Sequence, residues 1–258
     1  MNSNTQIISH FFLLSLAFGT QLFAPVVSTR LTGVGFYKLG SSIVLASLIL
    51  AAGIQNFMAG SIDSLGFACY GFLLASHIFT SVAHKDNKTV LMWIFYILQL
   101  LVFIFFAFHL FLPLNGWPMF FFFSAALLGI SNFAMILGHY YLVVPKLSEE
   151  PLIYCLFIFW AVLFLRLMSS LAVLLTNGMA YLEEGTALGD GYLYNWIFIT
   201  MRYLWGYLAP GILSFFTFKL CKIRSIQSAT GVLYIVEFFV IVGELISVYL
   251  MAKHGLSL

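Results

Sequence analysis

Apolar runs dominate the chain and recur at a length that suits a lipid bilayer. A membrane-spanning helix needs about 20 mostly apolar residues. Eight stretches meet this, at roughly 7–28, 33–57, 62–83, 89–112, 117–144, 152–176, 194–220 and 229–252. Short polar connections separate them. The longest, 177–192, holds Gly178, Gly185, Gly189 and Gly191 with three acids and reads as a flexible external loop. No segment is long enough for a soluble domain, so 1–258 reads as a single transmembrane domain. The predicted fold is all-α, a polytopic integral membrane helical bundle. The first stretch lacks a basic leader and reads as a retained helix rather than a cleaved signal.

Helix ends carry their own signals. Pro113 and Pro118 bracket the fourth-to-fifth turn around Asn115-Gly116. Pro145 closes the fifth helix, and Pro151 stands where a first helical position is expected. Ser225 or Ser228 suits the cap of the eighth helix. Pro210 is expected to kink the seventh, beside Gly206, which permits close helix approach. Trp117, Tyr140, Tyr141, Trp196 and Tyr249 suit the membrane interface.

Composition turns this pattern into a class. The chain is 62% hydrophobic and 8% charged, against about 25% charged in soluble domains. The net charge of +2 is too small to suggest nucleic acid as a partner. Cys69, Cys155 and Cys221 are isolated in apolar stretches, so free buried thiols are expected.

Charge then orients the helices. One side of the membrane receives Arg30, Lys38, Lys85, Lys88, Lys146, Lys219, Lys222 and Arg224. The other receives Lys253 as its one basic residue, with Asp63, Glu183, Glu184 and Asp190. By the positive-inside rule both termini face outward.

The charges left inside apolar stretches are the candidate chemistry, because they are expensive in lipid and normally face protein or water. Helical rise puts Arg166, Arg202, Glu244, His109 and His10 in one outer layer. His77, His139 and Glu237 fall in a second, inner layer. Glu237 and Glu244 share one stripe of the eighth helix, and Asn132 and His139 share one of the fifth. Tyr70, His77 and His84 run along the third. A guanidinium stays protonated when buried and needs an anion. Glu244, a haem propionate, a quinone carbonyl, an anionic substrate or a purely structural Arg–Glu pair would each satisfy it. Glu237 reads either as a neutral acid bonded across helices or as a proton-relay group.

The histidines fit a haem reading. Bis-histidine haem b needs two imidazoles at one depth on facing helices. His77 with His139 would supply the inner iron ligands, and His10 with His109 an outer pair. Arg166, Arg202 and Glu244 would form an outer polar or quinone site. No nucleotide loop, zinc-protease motif or nucleophile elbow appears, and whether the chain is an enzyme stays open.

Two stretches carry a resemblance. Gly138-His139-Tyr140-Tyr141-Leu142-Val143-Val144-Pro145 and Arg224-Ser225-Ile226-Gln227-Ser228-Ala229-Thr230-Gly231-Val232-Leu233-Tyr234, with Gly243-Glu244 beyond, resemble patterns in uncharacterised bacterial polytopic membrane proteins. The resemblance spans residues of about 125–250 and implies a bacterial inner membrane. It marks His139, Arg166, Arg202 and Glu244 but supplies no reaction. The many phenylalanines are similar to those of hydrophobic subunits of respiratory complexes, by analogy alone.

The expected function is an integral subunit of a respiratory or redox complex, binding haem b, a quinone or both, with other membrane subunits as partners. A cofactor-free structural or assembly subunit and a proton- or ion-coupled transporter stand as alternatives. No internal repeat supports the transporter.

Overall fold

The computed structural model describes residues 3–27, 32, 34–59, 63–83, 90–111, 117–144, 147–183 and 191–258. Among these are eight helices long and apolar enough to cross a membrane, so the chain is a multi-pass integral membrane protein. They are α1 (Ser3–Leu22), α2 (Val34–Ala59), α3 (Ser64–Ala83), α4 (Val90–Phe111), α5 (Trp117–Val143), α6 (Glu150–Gly178), α7 (Tyr192–Lys222) and α8 (Ile226–His254).

Helices are the form available to a chain in lipid, since each backbone polar group must be satisfied internally. Their ends follow local chemistry. α1 stops at Leu22, earlier than hydropathy predicts, and a 3₁₀ turn follows at Ala24–Val26. Pro25 in that turn has no N–H to continue the helix. Pro151 occupies the first turn of α6 as expected. Ser225 precedes α8, but its hydroxyl bonds the Ser228 hydroxyl (3.1 Å) rather than capping the helix. Pro113, Asn115-Gly116, Pro145, His84, Arg30, Lys85, Lys88, Lys146, Glu184 and Asp190 lie outside the described residues. Arg224 closes α7 in the left-handed conformation (φ 58°), a place usually held by glycine. Its guanidinium there meets Glu149 at the start of α6 (3.0 Å).

Three helices form the centre. α5 packs against α1, α8 and α6, and α1 also packs on α2. α1 and α5 cross in near backbone contact: a Cβ added to Gly19 would lie 1.8 Å from the Ala125 carbonyl oxygen. Small residues at such crossings let dispersion contacts hold helices together in lipid, where burying apolar surface gains little. α2, α3 and α4 flank one side of this centre, and α6 and α7 the other. The core divides accordingly. Phe11, Phe18, Tyr70, Leu73, Phe103, Phe106 and Phe121 belong to one cluster. Phe133, Leu137, Leu156, Phe159, Leu233 and Val240 belong to the second.

The outer faces stay apolar and uncovered, as on α4 at Leu91, Ile94, Leu101 and Phe105. Tyr141 departs from its expected interfacial place. It is buried, and its hydroxyl donates to the Ser148 carbonyl (2.5 Å). The 177–192 connection is also partly built. α6 continues through a π-helical turn (Leu174–Gly178) into a 3₁₀ turn (Ala180–Leu182). Tyr181 and Leu182 there pack with Ile199, Leu250, Leu256 and Leu258.

Candidate functional site

Arg166 of α6, Arg202 of α7 and Glu244 of α8 meet inside the bundle. Their exposures are 1%, 0% and 0%. Arg202 Nη2 donates to Glu244 Oε1 at 2.8 Å. Arg166 approaches the same carboxylate more loosely, Nε to Oε1 and Nη2 to Oε2, both at 3.4 Å. Ser124 of α5 donates a short hydrogen bond to Glu244 Oε2. Glu244 therefore accepts from three helices, which is the condition under which a buried carboxylate is tolerable.

Two guanidiniums share the single side-chain carboxylate of Glu244. Aromatic rings and further oxygens complete the surroundings of both guanidiniums. Arg166 lies over the Phe120 ring at 4.8 Å and Arg202 over the Tyr207 ring at 4.3 Å. Arg202 Nη2 also donates to the Tyr207 hydroxyl at 2.5 Å. Leu258 then reaches in from beyond α8. Its oxygen accepts from Arg166 Nη2 (3.0 Å), Arg202 Nε (3.1 Å) and the Ser247 hydroxyl. Arg202 Nη1 has no hydrogen-bond partner among the described residues.

Local backbone shape makes room for Arg202. α7 is α-helical over Tyr192–Tyr203, π-helical over Leu204–Leu208 and α-helical again over Ala209–Lys222. The disturbance thus falls just before Pro210, whose ring leaves the preceding turn unable to close normally. Wide turns of this kind are frequent at functional sites. Gly206 in the π turn meets Gly243 of α8, where a Cβ added to Gly243 would lie 2.3 Å from the Gly206 Cα. Arg202 Nη1 would lie 2.7 Å from a Cβ at Gly206. The two glycines therefore set both the helix crossing and the space for the guanidinium.

A groove adjoins this cluster. It has a volume of about 400 Å³ and runs between α6 and α7. Trp160, Leu163, Phe164, Tyr203, Tyr207 and Ile212 line it. Its rim is exposed on the lipid-facing side, at Phe164, Leu208 and Ile212. Its inner wall includes Tyr207, the residue bonded to Arg202, and Tyr203, whose hydroxyl pairs with Ser170 (3.0 Å).

The remaining expected site residues are dispersed. His10 is buried and its Nε2 pairs with the Tyr70 hydroxyl (2.7 Å). His109 sits at the end of α4 against Asp63 (3.0 Å). Neither joins the arginine layer. His77 is fully buried with no hydrogen-bond partner on either ring nitrogen among the described residues. His139 is exposed instead, with Nδ1 bonded to the Tyr234 hydroxyl (2.8 Å). A bis-histidine haem needs both imidazoles aimed into one cavity, and the His139 ring faces the bundle's exterior. The Asn132–His139 stripe fails for the same reason: Asn132 is buried and bonds Thr20 (2.8 Å). The Glu237–Glu244 stripe does face inward, with Glu237 buried and Oε2 without a hydrogen-bond partner among the described residues. Cys69, Cys155 and Cys221 are buried free thiols.

Hydropathy draws no attention to several neutral participants. Gln21 of α1 donates to Gln99 of α4 (2.6 Å), and Gln99 donates to Ser76 of α3 (3.1 Å). Gln99 is completely buried in the middle of the most apolar helix. That mismatch is the signal by which it could have been found. Tyr207 and Leu258 leave no such mark.

No protein-family model, curated protein or solved structure matches the chain. The arrangement of the site therefore carries the functional argument alone.

Proposed function

We propose that this chain is an integral subunit of a redox membrane complex that binds a quinone in the groove between α6 and α7. The observation that carries this reading is a lipid-facing groove of about 400 Å³ ending on Tyr207, whose hydroxyl contacts Arg202. A quinone has a flat head with carbonyl acceptors and a long apolar tail. The aromatic walls at Trp160, Tyr203 and Tyr207 suit the head, and the open rim lets the tail remain among lipid acyl chains. Ligand sites of this kind are mostly apolar with a few placed polar groups. The Tyr207 hydroxyl, which accepts from Arg202 and donates weakly to the Arg166 carbonyl (3.4 Å), turns its proton to a quinone carbonyl when the groove is filled. Electrons reach the quinone from a redox centre on a partner membrane subunit. The basic side of the chain faces the cytoplasm of a bacterial inner membrane.

Tryptophan quenching tests this directly. In a variant whose sole tryptophan is Trp160, with Trp93, Trp117, Trp196 and Trp205 changed to Phe, a short-chain ubiquinone quenches fluorescence saturably. Tyr207→Phe weakens the apparent affinity by up to about tenfold, the loss of one hydrogen bond. Quenching that tracks only the quinone content of the membrane, unchanged in Tyr207→Phe, excludes the groove as its site.

A further inference from the structure

The face of α7 that lines the groove continues beyond it to the basic end of the helix. Leu208, Gly211 and Ile212 belong to the groove. Phe215, Lys219 and Lys222 follow on the same stripe at helical spacing. α6 runs alongside. Its Trp160 lines the groove and packs against Phe218 of α7, with ring centroids 5.5 Å apart. Phe157, nearer the basic end, packs against the same ring at 5.8 Å. Phe157 and Phe215 are half exposed. An aromatic, lipid-facing strip thus leads from the groove to two exposed ammonium groups.

Those ammonium groups are turned back toward the strip. Lys219 Nζ lies 4.7 Å from the centre of the Phe215 ring, and Lys222 Nζ 5.4 Å from that of Phe218. The rings attract the charge but leave the three N–H donors of each lysine for other acceptors. Neither lysine forms a salt bridge among the described residues. Glu149 lies near Lys222, but Arg224 already holds it through two nitrogens (3.1 and 3.0 Å).

We infer that Lys219 and Lys222 hold the phosphate of an anionic phospholipid, whose acyl chain lies along Phe215, Phe218 and Phe157. A soluble anion would use the lysines and leave the aromatic strip bare. A neutral lipid would use the strip and leave the charges unmatched. An anionic lipid fits both, and a bilayer presents its phosphate and its acyl chain in that order along a helix end. Each lysine near a lipid surface strengthens such binding about fivefold. About 18 Å of helix separates Lys219 from Tyr207, so the inference holds or fails independently of quinone binding.

The test is native mass spectrometry of the full chain in detergent micelles, titrated with dioleoyl phosphatidylglycerol and, separately, dioleoyl phosphatidylcholine. Phosphatidylglycerol forms one saturable adduct, about twenty-five-fold tighter than phosphatidylcholine. Lys219→Gln or Lys222→Gln lowers its affinity about fivefold, and the double change removes the preference. Changing both lysines to Arg keeps it. Lys38→Gln, an equal loss of charge at the basic end of α2, leaves it unmoved. Soluble glycerophosphoglycerol and inorganic phosphate do not displace the lipid. In bilayers, the chain whose sole tryptophan is Trp160 is quenched by dibrominated phosphatidylglycerol at lower mole fraction than by dibrominated phosphatidylcholine. Equal affinity for the two lipids overturns the inference. So does a preference that survives the double Gln change or falls equally in Lys38→Gln, or displacement by the soluble headgroup or by phosphate.

Discussion

The two flanks of the bundle solve one problem differently. Beside α6 and α7, buried polarity is ionic: Arg166 and Arg202 enclose Glu244 with Ser124 and Leu258. Beside α2, α3 and α4 it is neutral: Gln21, Gln99 and Ser76 form a chain, and His10 bonds Tyr70. Neutral groups can be deleted together with little penalty, because no charge is left behind. A buried ion cannot lose its partner so easily. The ionic flank also has the π turn, the groove and the inserted chain segment. The neutral flank has close aromatic packing, such as Phe11 with Phe111, Phe120 and Phe121 at 5.1–5.4 Å. Chemistry is accordingly expected on the first and positional precision on the second.

The most severe way to break this contrast is Glu244→Gln. It takes the Glu244 charge away from two buried guanidiniums, and the expected loss is about 3–5 kcal/mol. Thermal unfolding in mild detergent measures it. A loss no greater than that of a neutral hydrogen bond would mean that the two flanks are energetically alike. Gly243→Ala comes next. Its new methyl group meets the Gly206 backbone and the Arg202 guanidinium, and overpacking costs about 1–3 kcal/mol. The same change also disturbs quinone quenching of Trp160, which a change confined to the neutral flank leaves intact.

Gln99→Leu measures the neutral flank by itself. Interhelical hydrogen bonds in lipid are worth about 0.6 kcal/mol on average and up to about 1.7. The single variant lies near the upper value because Gln21 is left unpaired. The double variant Gln21→Leu with Gln99→Leu recovers part of that loss. A double-mutant cycle on unfolding midpoints provides the check.

The smallest effect belongs to Glu149 and Arg224, where the guanidinium 3.0 Å away holds the carboxyl below its usual 4.5. A carboxyl whose folded pKa is depressed contributes stability above its unfolded pKa. That contribution is lost as pH falls through the lower folded value. Glu149→Gln therefore removes a small slope from the acid limb of the stability curve. Both partners reach solvent, so added salt reduces the difference.

Much of the site was legible before folding was considered. Arg166, Arg202 and Glu244 stand out because a charge within an apolar span must be justified, and their depths agree. The histidines show where such reasoning stops. His77 and His139 share a depth by residue counting, yet one is enclosed and the other faces outward. Depth is a property of one helix, read from its rise. Facing is a property of two helices and depends on how each is rotated against its neighbours.

The sequence by itself determined the class, the eight spans and the placement of buried charge. Each follows from one segment's length and polarity against the fixed thickness of a bilayer. Only the tertiary structure decided which groups meet. The Gly206–Gly243 crossing brings Arg202 to Glu244, Tyr207 links that pair to the groove, and Leu258 folds back to accept from both arginines. These contacts join residues on different helices, and the rotation and close packing that produce them emerge only when all eight helices are assembled.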